Sequence, residues 1–270
     1  IVYNILKQLL GKKWAYSFML FWFFIPIFEA FGFFHFYYVK LTIRGFGEPL
    51  SYLFFLTALY IFILIHKSKD QLNMANAFFF GLCLALSIGL RANILPACLI
   101  LGGFFLFKLW KERLKYNIML MAFGFSLILI LPIHNYIFTK EFIPLTIAAY
   151  KEGNLGASPS DYLHLFLSII KLDFNFILWN KIINHINGEI KLYEFWYHIA
   201  ITICFYCSFS KKIPIIIRCI SLSSLSLIAL ILFYHVGGRY SYLTWTLSLF
   251  VLSYWMKMKL LPYLKRLNVS

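Results

Sequence analysis

Long apolar runs, separated by short polar or basic segments, make up most of this chain. They cover residues 14–38, 50–65, 75–90, 94–109, 118–134, 193–209, 213–236 and 240–256. The runs are nearly continuous, whereas a strand of a transmembrane barrel alternates apolar and polar residues. Because a helix of about 20 apolar residues crosses a bilayer, the pattern predicts an all-α, polytopic membrane bundle of about eight transmembrane helices.

Several of these runs are short for a full crossing, at about 16 residues against the usual 20. Short spans require local bilayer thinning, snorkelling side chains or burial among other helices. The runs at 75–90 and 94–109 therefore allow a second interpretation, a re-entrant pair that enters and leaves the membrane on one side.

A longer and more polar stretch, residues 135–192, separates the fifth run from the sixth. Ser158-Pro159-Ser160-Asp161 is typical of a helix start, with a Ser cap and Pro at the first position. Two apolar stripes at helical spacing follow, Tyr162, Leu165, Phe166, Ile169 and Ile170, then Phe174, Ile177, Leu178, Ile182 and Ile186. These predict short helices that either lie flat on the bilayer surface or pack on the transmembrane helices.

The runs divide the chain into three regions. Residues 1–134 hold membrane helices one to five, residues 135–192 form the outer loop region, and residues 193–270 hold helices six to eight and a basic cytoplasmic tail. No internal repeat is evident, which disfavours an inverted-repeat transporter. The chain opens with Ile-Val-Tyr-Asn, in the middle of an element, so we expect that an N-terminal piece is missing from this sequence.

Composition excludes the soluble classes of protein. The chain is 62% hydrophobic and only 13% charged, with a net charge of +15, against roughly 25% charged residues in a soluble domain. Clusters at 7–13, 67–69, 108–115, 211–218 and 257–266 place most of the basic residues on one side of the predicted membrane. The positive-inside rule makes that side cytoplasmic and explains the charge without nucleic acid. We expect an integral membrane protein, of the bacterial inner membrane.

The cysteines of the chain do not indicate a metal or redox site. Cys204-Phe205-Tyr206-Cys207 has CxxC spacing but lies inside an apolar run without a second ligand pair. Two small side chains on a buried helix explain this spacing better than a metal or redox site does.

Charged residues at the membrane boundary are the stronger candidates for function. Glu29 lies within the first run, Glu48 begins the second, Arg91 separates the third from the fourth, and Arg239 begins the last. By the charge pattern, all four lie near the outer face. A carboxylate beside a cation could serve as a base next to a phosphate site. Alternatively, each residue anchors a helix end at the interface.

Several segments together resemble polyprenyl-phosphate-sugar glycosyltransferases of the GT-C type, which include the protein mannosyltransferases and the aminoarabinose transferase of lipid A. The segments are Gly47-Glu48-Pro49-Leu50, the stretch from Gly81 to Asn93 with its Leu90-Arg91-Ala92-Asn93, Leu131-Pro132-Ile133-His134-Asn135-Tyr136 with Glu141-Phe142-Ile143-Pro144-Leu145-Thr146, and Gly238-Arg239-Tyr240. They keep the family's order over residues 10–250. Leu90, Ala92 and His134 depart from its usual Thr, Pro and Arg, and the prolines expected after Tyr240 are missing.

The resemblance implies transfer of a sugar from a polyprenyl phosphate to a hydroxyl acceptor at the outer face, with inversion. It implies Glu48 as the second acidic residue, in a support role or as a ligand of a divalent metal. It implies phosphate contact by Arg91 and Arg239, and an outer loop shaped by Asn135 and Tyr136. The acceptor is a protein, a lipid or a glycan, and no cofactor other than the metal is implied.

The family's principal acid lies in a first outer loop, and nothing before Trp14 can form that loop. The resemblance therefore leaves a second interpretation open, a truncated or non-catalytic membrane subunit. A transporter of lipid-linked sugar is a third, disfavoured because the middle of each run is nearly free of ionisable residues.

Overall fold

A computed structural model describes residues 1–24, 42–43, 47–68, 72–140, 167–168, 170–171, 177–192, 195–234, 238–260 and 262. Every regular element in these ranges is helical. The helices of the first half are α1 (Val2–Leu10), α2 (Lys12–Phe24), α3 (Glu48–Lys67), α4 (Met74–Leu90), α5 (Leu95–Lys111), α6 (Lys115–Ser126) and α7 (Ile130–Thr139). Those of the second half are α8 (Ile177–Leu192), α9 (Phe195–Phe209), α10 (Ile215–Tyr234) and α11 (Gly238–Trp255), which continues into a π-helical turn at Met256–Leu260.

The helices confirm the all-α prediction. The prediction of membrane-spanning helices is confirmed in part. Within the described ranges, three stretches are long and apolar enough to cross a membrane, namely Glu48–Lys67, Ala92–Lys111 and Lys115–Phe138. Eight crossings are not confirmed, because other apolar helices, Met74–Leu90, Phe195–Phe209 and Ile215–Ile231, are shorter. The remainder of the first predicted span, the predicted helix start at 158–161 and most of the first surface stripe lie outside the described residues.

The predicted fifth span is longer than the apolar run indicated. Helix α6 passes through a 3-10 turn at Leu127–Leu129 into α7, so the chain stays helical from Lys115 to Thr139. Pro132 lies in the first turn of α7, where proline displaces no helical hydrogen bond. Asn135 and Tyr136, which look like loop residues in the sequence, therefore belong to a helix that crosses the predicted boundary at residue 134.

The second predicted surface stripe is helical from Ile177 onward, as α8, and its first residue, Phe174, lies outside the described residues. This helix contacts α10, yet Ile183 and Ile186 remain exposed on it. The contact favours packing on the bundle, and the exposed isoleucines leave an apolar surface for lipid.

Helix α4 packs against both α5 and α6 in the first half. The Phe80 ring of α4 lies 4.1 Å from that of Phe105 on α5. Gly81 and Gly124 bring α4 and α6 into backbone contact, because a Cβ at either position would overlap the carbonyl oxygen of Met121 or Phe78. Small residues permit this close approach between membrane helices, where dispersion forces replace the hydrophobic effect.

The second half packs through buried hydroxyl groups. Ser224 Oγ on α10 lies 2.7 Å from Ser248 Oγ and donates to the Thr244 carbonyl oxygen of α11 at 3.1 Å. Cys204 and Cys207 are buried on α9, as expected of two small side chains on a buried helix. Helix α10 also packs against α5 and joins the two halves.

The basic end of the bundle is closed by α1. Its buried face carries Ile5, Leu6 and Leu10. Lys67, at the end of α3, donates to the Gln8 carbonyl oxygen, and Lys257 Nζ, after α11, donates to the Leu10 carbonyl oxygen at 2.5 Å. The ends of α3 and α11 therefore meet at α1, and Lys67 and Lys257 lie at the same end of the molecule.

Candidate functional site

Glu48 begins helix α3 at the end of the molecule opposite Lys67. Gly47 is the N-cap, and Pro49 lies in the first turn. A carboxylate in the first turn interacts favourably with the positive end of the helix dipole. The Glu48 side chain is nonetheless fully buried, so its charge requires a partner inside the protein.

Arg91 provides that partner from the break between α4 and α5. Helix α4 ends at Leu90, and the Arg91 backbone is extended while its N–H still donates to the Ser87 carbonyl oxygen at 3.1 Å. A 3-10 turn at Ala92–Ile94 then leads into α5. The guanidinium of Arg91 donates from Nη2 to Oε1 of Glu48 and forms a salt bridge with it.

The two members of the pair differ in access to solvent. The Glu48 side chain is 0% exposed and the Arg91 side chain is 27% exposed. A guanidinium has five N–H donors, so contact with one carboxylate oxygen leaves Arg91 donors for another anion. Glu48 therefore orients Arg91, and Arg91 is the group that an external anion can reach.

Two serines fix the geometry one turn deeper in the bundle. Ser51 Oγ donates to the Ser87 carbonyl oxygen at 2.7 Å, and Ser87 Oγ donates to the Ser51 carbonyl oxygen at 2.9 Å. Both side chains are fully buried. This reciprocal pair connects α3 to α4 next to Glu48 and Arg91. It was missed in the sequence, where the only signal is a small polar residue three or four positions from each charge.

Arg239 lies in the first turn of α11. One turn further on, Tyr242 stacks on Tyr52 of α3, with ring centroids 6.1 Å apart and planes within 5°. Tyr52 in turn lies one turn after Glu48. The backbone at Arg239 is therefore at the same end of the bundle as the Glu48–Arg91 pair.

Asn135 and Tyr136 lie on α7. Asn135 is half-buried, and Tyr136 is 55% exposed. The turn between α5 and α6 is at the basic end, so α7 ends at the opposite end, where Arg91 is. Of the five predicted site residues, Glu48 and Arg91 are the two that the described contacts bring together.

The described residues around Glu48 do not show a set of ligands for a divalent metal. One carboxylate oxygen of Glu48 faces the positive charge of Arg91, which repels a cation. Among the residues that the structure describes, no group of three His, Cys, Asp or Glu side chains could hold a metal ion. Magnesium and calcium bind to several oxygen ligands. Glu29 lies outside the described residues.

The pair and its serine support are thus the best-defined polar arrangement at the end of the bundle opposite α1. No protein-family model matches the chain, and no curated protein or solved structure matches it. The family resemblance of its motifs therefore stays a prediction.

Proposed function

We propose that this chain is an integral-membrane glycosyltransferase, or part of one, that moves a sugar from a polyprenyl phosphate to a hydroxyl acceptor at the outer face with inversion. The observation that supports the proposal is the salt bridge between buried Glu48 and partly exposed Arg91. It lies at the end opposite the lysines around α1, which is the outer end by the positive-inside rule.

The reaction requires stabilisation of a leaving phosphate. The acceptor oxygen attacks the anomeric carbon, and the bond from that carbon to the phosphate oxygen breaks with its electron pair going to the phosphate. A fixed guanidinium can bind this developing charge through charge-assisted hydrogen bonds. Arg91 has this role in our proposal, and Glu48 holds it in place.

Glu48 is unsuited to be the base that accepts the acceptor's proton. It is fully buried and already paired with Arg91, whereas a general base must reach the proton it removes. In our proposal that proton goes to a different acidic residue, in the role that the resemblance gives to the principal acid of a first outer loop. Arg239 is a second phosphate contact, and Asn135 and Tyr136, which lie on α7, shape the entry to the outer loop region.

The remaining parts of the proposal follow from the sequence pattern. The chain crosses the bacterial inner membrane about eight times, and its shorter apolar helices complete the bundle around the longer spans. Membrane lipids surround it, the donor enters from the outer leaflet, and the acceptor is a protein, a lipid or a glycan.

The test is sugar transfer from polyprenyl phosphate in membranes that contain the full-length coding product. We expect Arg91→Gln to lower the rate about a hundredfold, because removal of one donor to a developing oxyanion costs 10²–10³ in rate. Arg91→Lys keeps the charge but loses the planar fork, and we expect an intermediate rate. We expect a smaller loss from Glu48→Gln, which loosens Arg91 without removing it.

The matched control is Lys211→Gln, which removes one positive charge at the basic end and should leave transfer unchanged. Unchanged transfer by Arg91→Gln at equal expression would exclude the pair from the site. The buried salt bridge would then serve only to connect α3 and α4, as expected of a non-catalytic subunit.

A further inference from the structure

A groove between α5 and α6 lies at the basic end, far from the Glu48–Arg91 pair. Its mouth is a cavity of about 730 Å³ lined by Phe107, Trp110, Lys111, Arg113, Lys115 and Ile118. A second cavity of about 410 Å³ adjoins it and shares Phe107, Trp110 and Ile118, with Gly103 and Leu106 further along α5. The two cavities form one groove that runs from the turn into the apolar face.

The two ends of the groove differ in chemistry. We call residues 111–115 the basic turn, because Lys111, Arg113 and Lys115 line the mouth there. The acid of this turn, Glu112, forms a salt bridge of 3.1 Å with Lys108, so its charge is already compensated. We call Gly103, Leu106, Phe107 and Ile118 the apolar floor, since these residues offer no charged group.

The backbone of the basic turn holds an arginine where a glycine is usual. The Leu114 N–H bonds to the Leu109 carbonyl oxygen and the Arg113 N–H to the Trp110 carbonyl oxygen, each at 3.0 Å. This is the Schellman pattern of a helix end, whose left-handed residue is usually Gly. Arg113 occupies it with φ 59, so the fold accepts local strain and retains a cationic side chain at the mouth.

Apolar side chains around the groove are exposed to the surroundings. Trp110 is 71% exposed, and Phe107 and Leu106 are exposed beside it. A Cβ placed on Gly103 would meet no atom within 4 Å. Open space above an apolar floor therefore continues directly from the three cationic side chains.

We propose that this groove binds one anionic phospholipid, with its phosphate at the basic turn and an acyl chain along the apolar floor. Charge complementarity selects the occupant, because basic pockets between membrane helices on the cytoplasmic side attract anionic head groups. Trp110 lies between head group and chain, at the depth where indole rings concentrate in membranes. The proposal is independent of any transferase activity.

The test is quenching of tryptophan fluorescence in the full chain, reconstituted in phosphatidylcholine vesicles. A fraction of the lipid carries brominated acyl chains, either as phosphatidylglycerol or as phosphatidylcholine. The difference between the unchanged chain and Trp110→Phe isolates the signal of Trp110. We expect brominated phosphatidylglycerol to quench Trp110 at a lower mole fraction than brominated phosphatidylcholine. Equal quenching by the two lipids would overturn the proposal.

Charge variants test the basic turn. Lys111→Gln/Lys115→Gln should lower the preference for phosphatidylglycerol about fivefold for each lysine removed. Lys211→Gln/Lys212→Gln is the matched control, because it removes two exposed charges at the same end, away from the groove. An equal loss in the control would mean general surface attraction and would overturn the proposal.

A charge-neutral variant tests the apolar floor. Gly103→Leu places a side chain in the open space and should weaken Trp110 quenching by phosphatidylglycerol, while Gly103→Ala should change it little. Inorganic phosphate separates a lipid site from a site for free anions. If added phosphate removes the preference and Gly103→Leu has no effect, the groove binds phosphate alone and the lipid proposal is wrong.

Discussion

At the scale of single residues, the salt bridge between Glu48 and Arg91 is unequal. The carboxylate is fully buried and the guanidinium reaches solvent. Loss of one member therefore differs from loss of the other, because a charge left in a buried position is strongly penalised, whereas a partly exposed charge is still solvated. Glu48 therefore serves mainly to hold Arg91 in place, and the two residues are not equivalent.

This asymmetry gives a stability prediction. We expect Arg91→Gln to destabilise the protein by about 3–5 kcal/mol, the cost of breaking a buried pair. We expect Glu48→Gln to cost about 1–2 kcal/mol, since a hydrogen bond to a charged group is lost but Arg91 can still meet water. Denaturant titration of the detergent-solubilised chain measures both changes. Equal costs for the two variants would contradict the burial difference.

The candidate site was predictable only in part. The charged residues could be identified from the sequence because a charge next to a membrane span is energetically costly and is usually functional. That signal identified Glu48 and Arg91. The reciprocal bonds of Ser51 and Ser87 were not predictable, because a serine in an apolar run has no distinctive pattern. Contact between helices determines which hydroxyl groups meet, and one sequence does not show that contact.

At the scale of helices, the close packing of α4 against α6 depends on two glycines. A Cβ on Gly124 would overlap the Phe78 carbonyl oxygen and would also come within 2.9 Å of the Leu82 backbone nitrogen. Both neighbours are backbone atoms, so a side chain at Gly124 can be accommodated only if the two helices move apart.

We therefore expect Gly124→Ala to destabilise the protein by about 2 kcal/mol or more, in the range of overpacking mutations. Gly103→Ala on α5 is the matched control, because its Cβ would meet no atom within 4 Å. It should be neutral or stabilising by up to about 1 kcal/mol, the difference in helix propensity between Gly and Ala. Thermal unfolding in detergent compares the two variants, and equal destabilisation would argue against the α4–α6 contact.

Most helices of the bundle were predictable from the apolar runs. The runs at 50–65, 75–90 and 94–109 correspond within a few residues to α3, α4 and α5, because flanking charges and turn residues bound them. The lengths of the apolar runs did not show how many helices cross the membrane. Neither did they show that α7 continues past residue 134, because Asn135 and Tyr136 are polar residues at a helical position.

At the scale of the whole molecule, the basic residues define one end and the candidate site the other. Lys67 and Lys257 meet at α1, while Glu48 and Arg91 lie about 30 Å away along the 20-residue helix α3. The same division separates the two proposed binding sites, one for a phosphate-linked sugar and one for an anionic phospholipid.

Labelling from one side of the membrane tests this arrangement. An impermeant maleimide applied to intact cells should label Tyr136→Cys and leave Lys211→Cys unlabelled, and inverted vesicles should give the reverse. The native cysteines within the described ranges are buried, so the unchanged chain supplies the background. Labelling of both variants from the same side would contradict the proposed orientation.

The hydrogen bonds that Lys67 and Lys257 donate to α1 have a consequence for how the chain folds during synthesis. The Lys257–Leu10 hydrogen bond joins residues 247 positions apart, so it cannot form until the ribosome has synthesised α11 and the residues that follow it. Helix α1 also contacts α2 and α3, which are synthesised early, so its contact with α11 is the part of its packing that forms late. A protease that cuts at α1 in arrested nascent chains, but spares it in finished ones, would therefore report when the contact between α1 and Lys257 has formed.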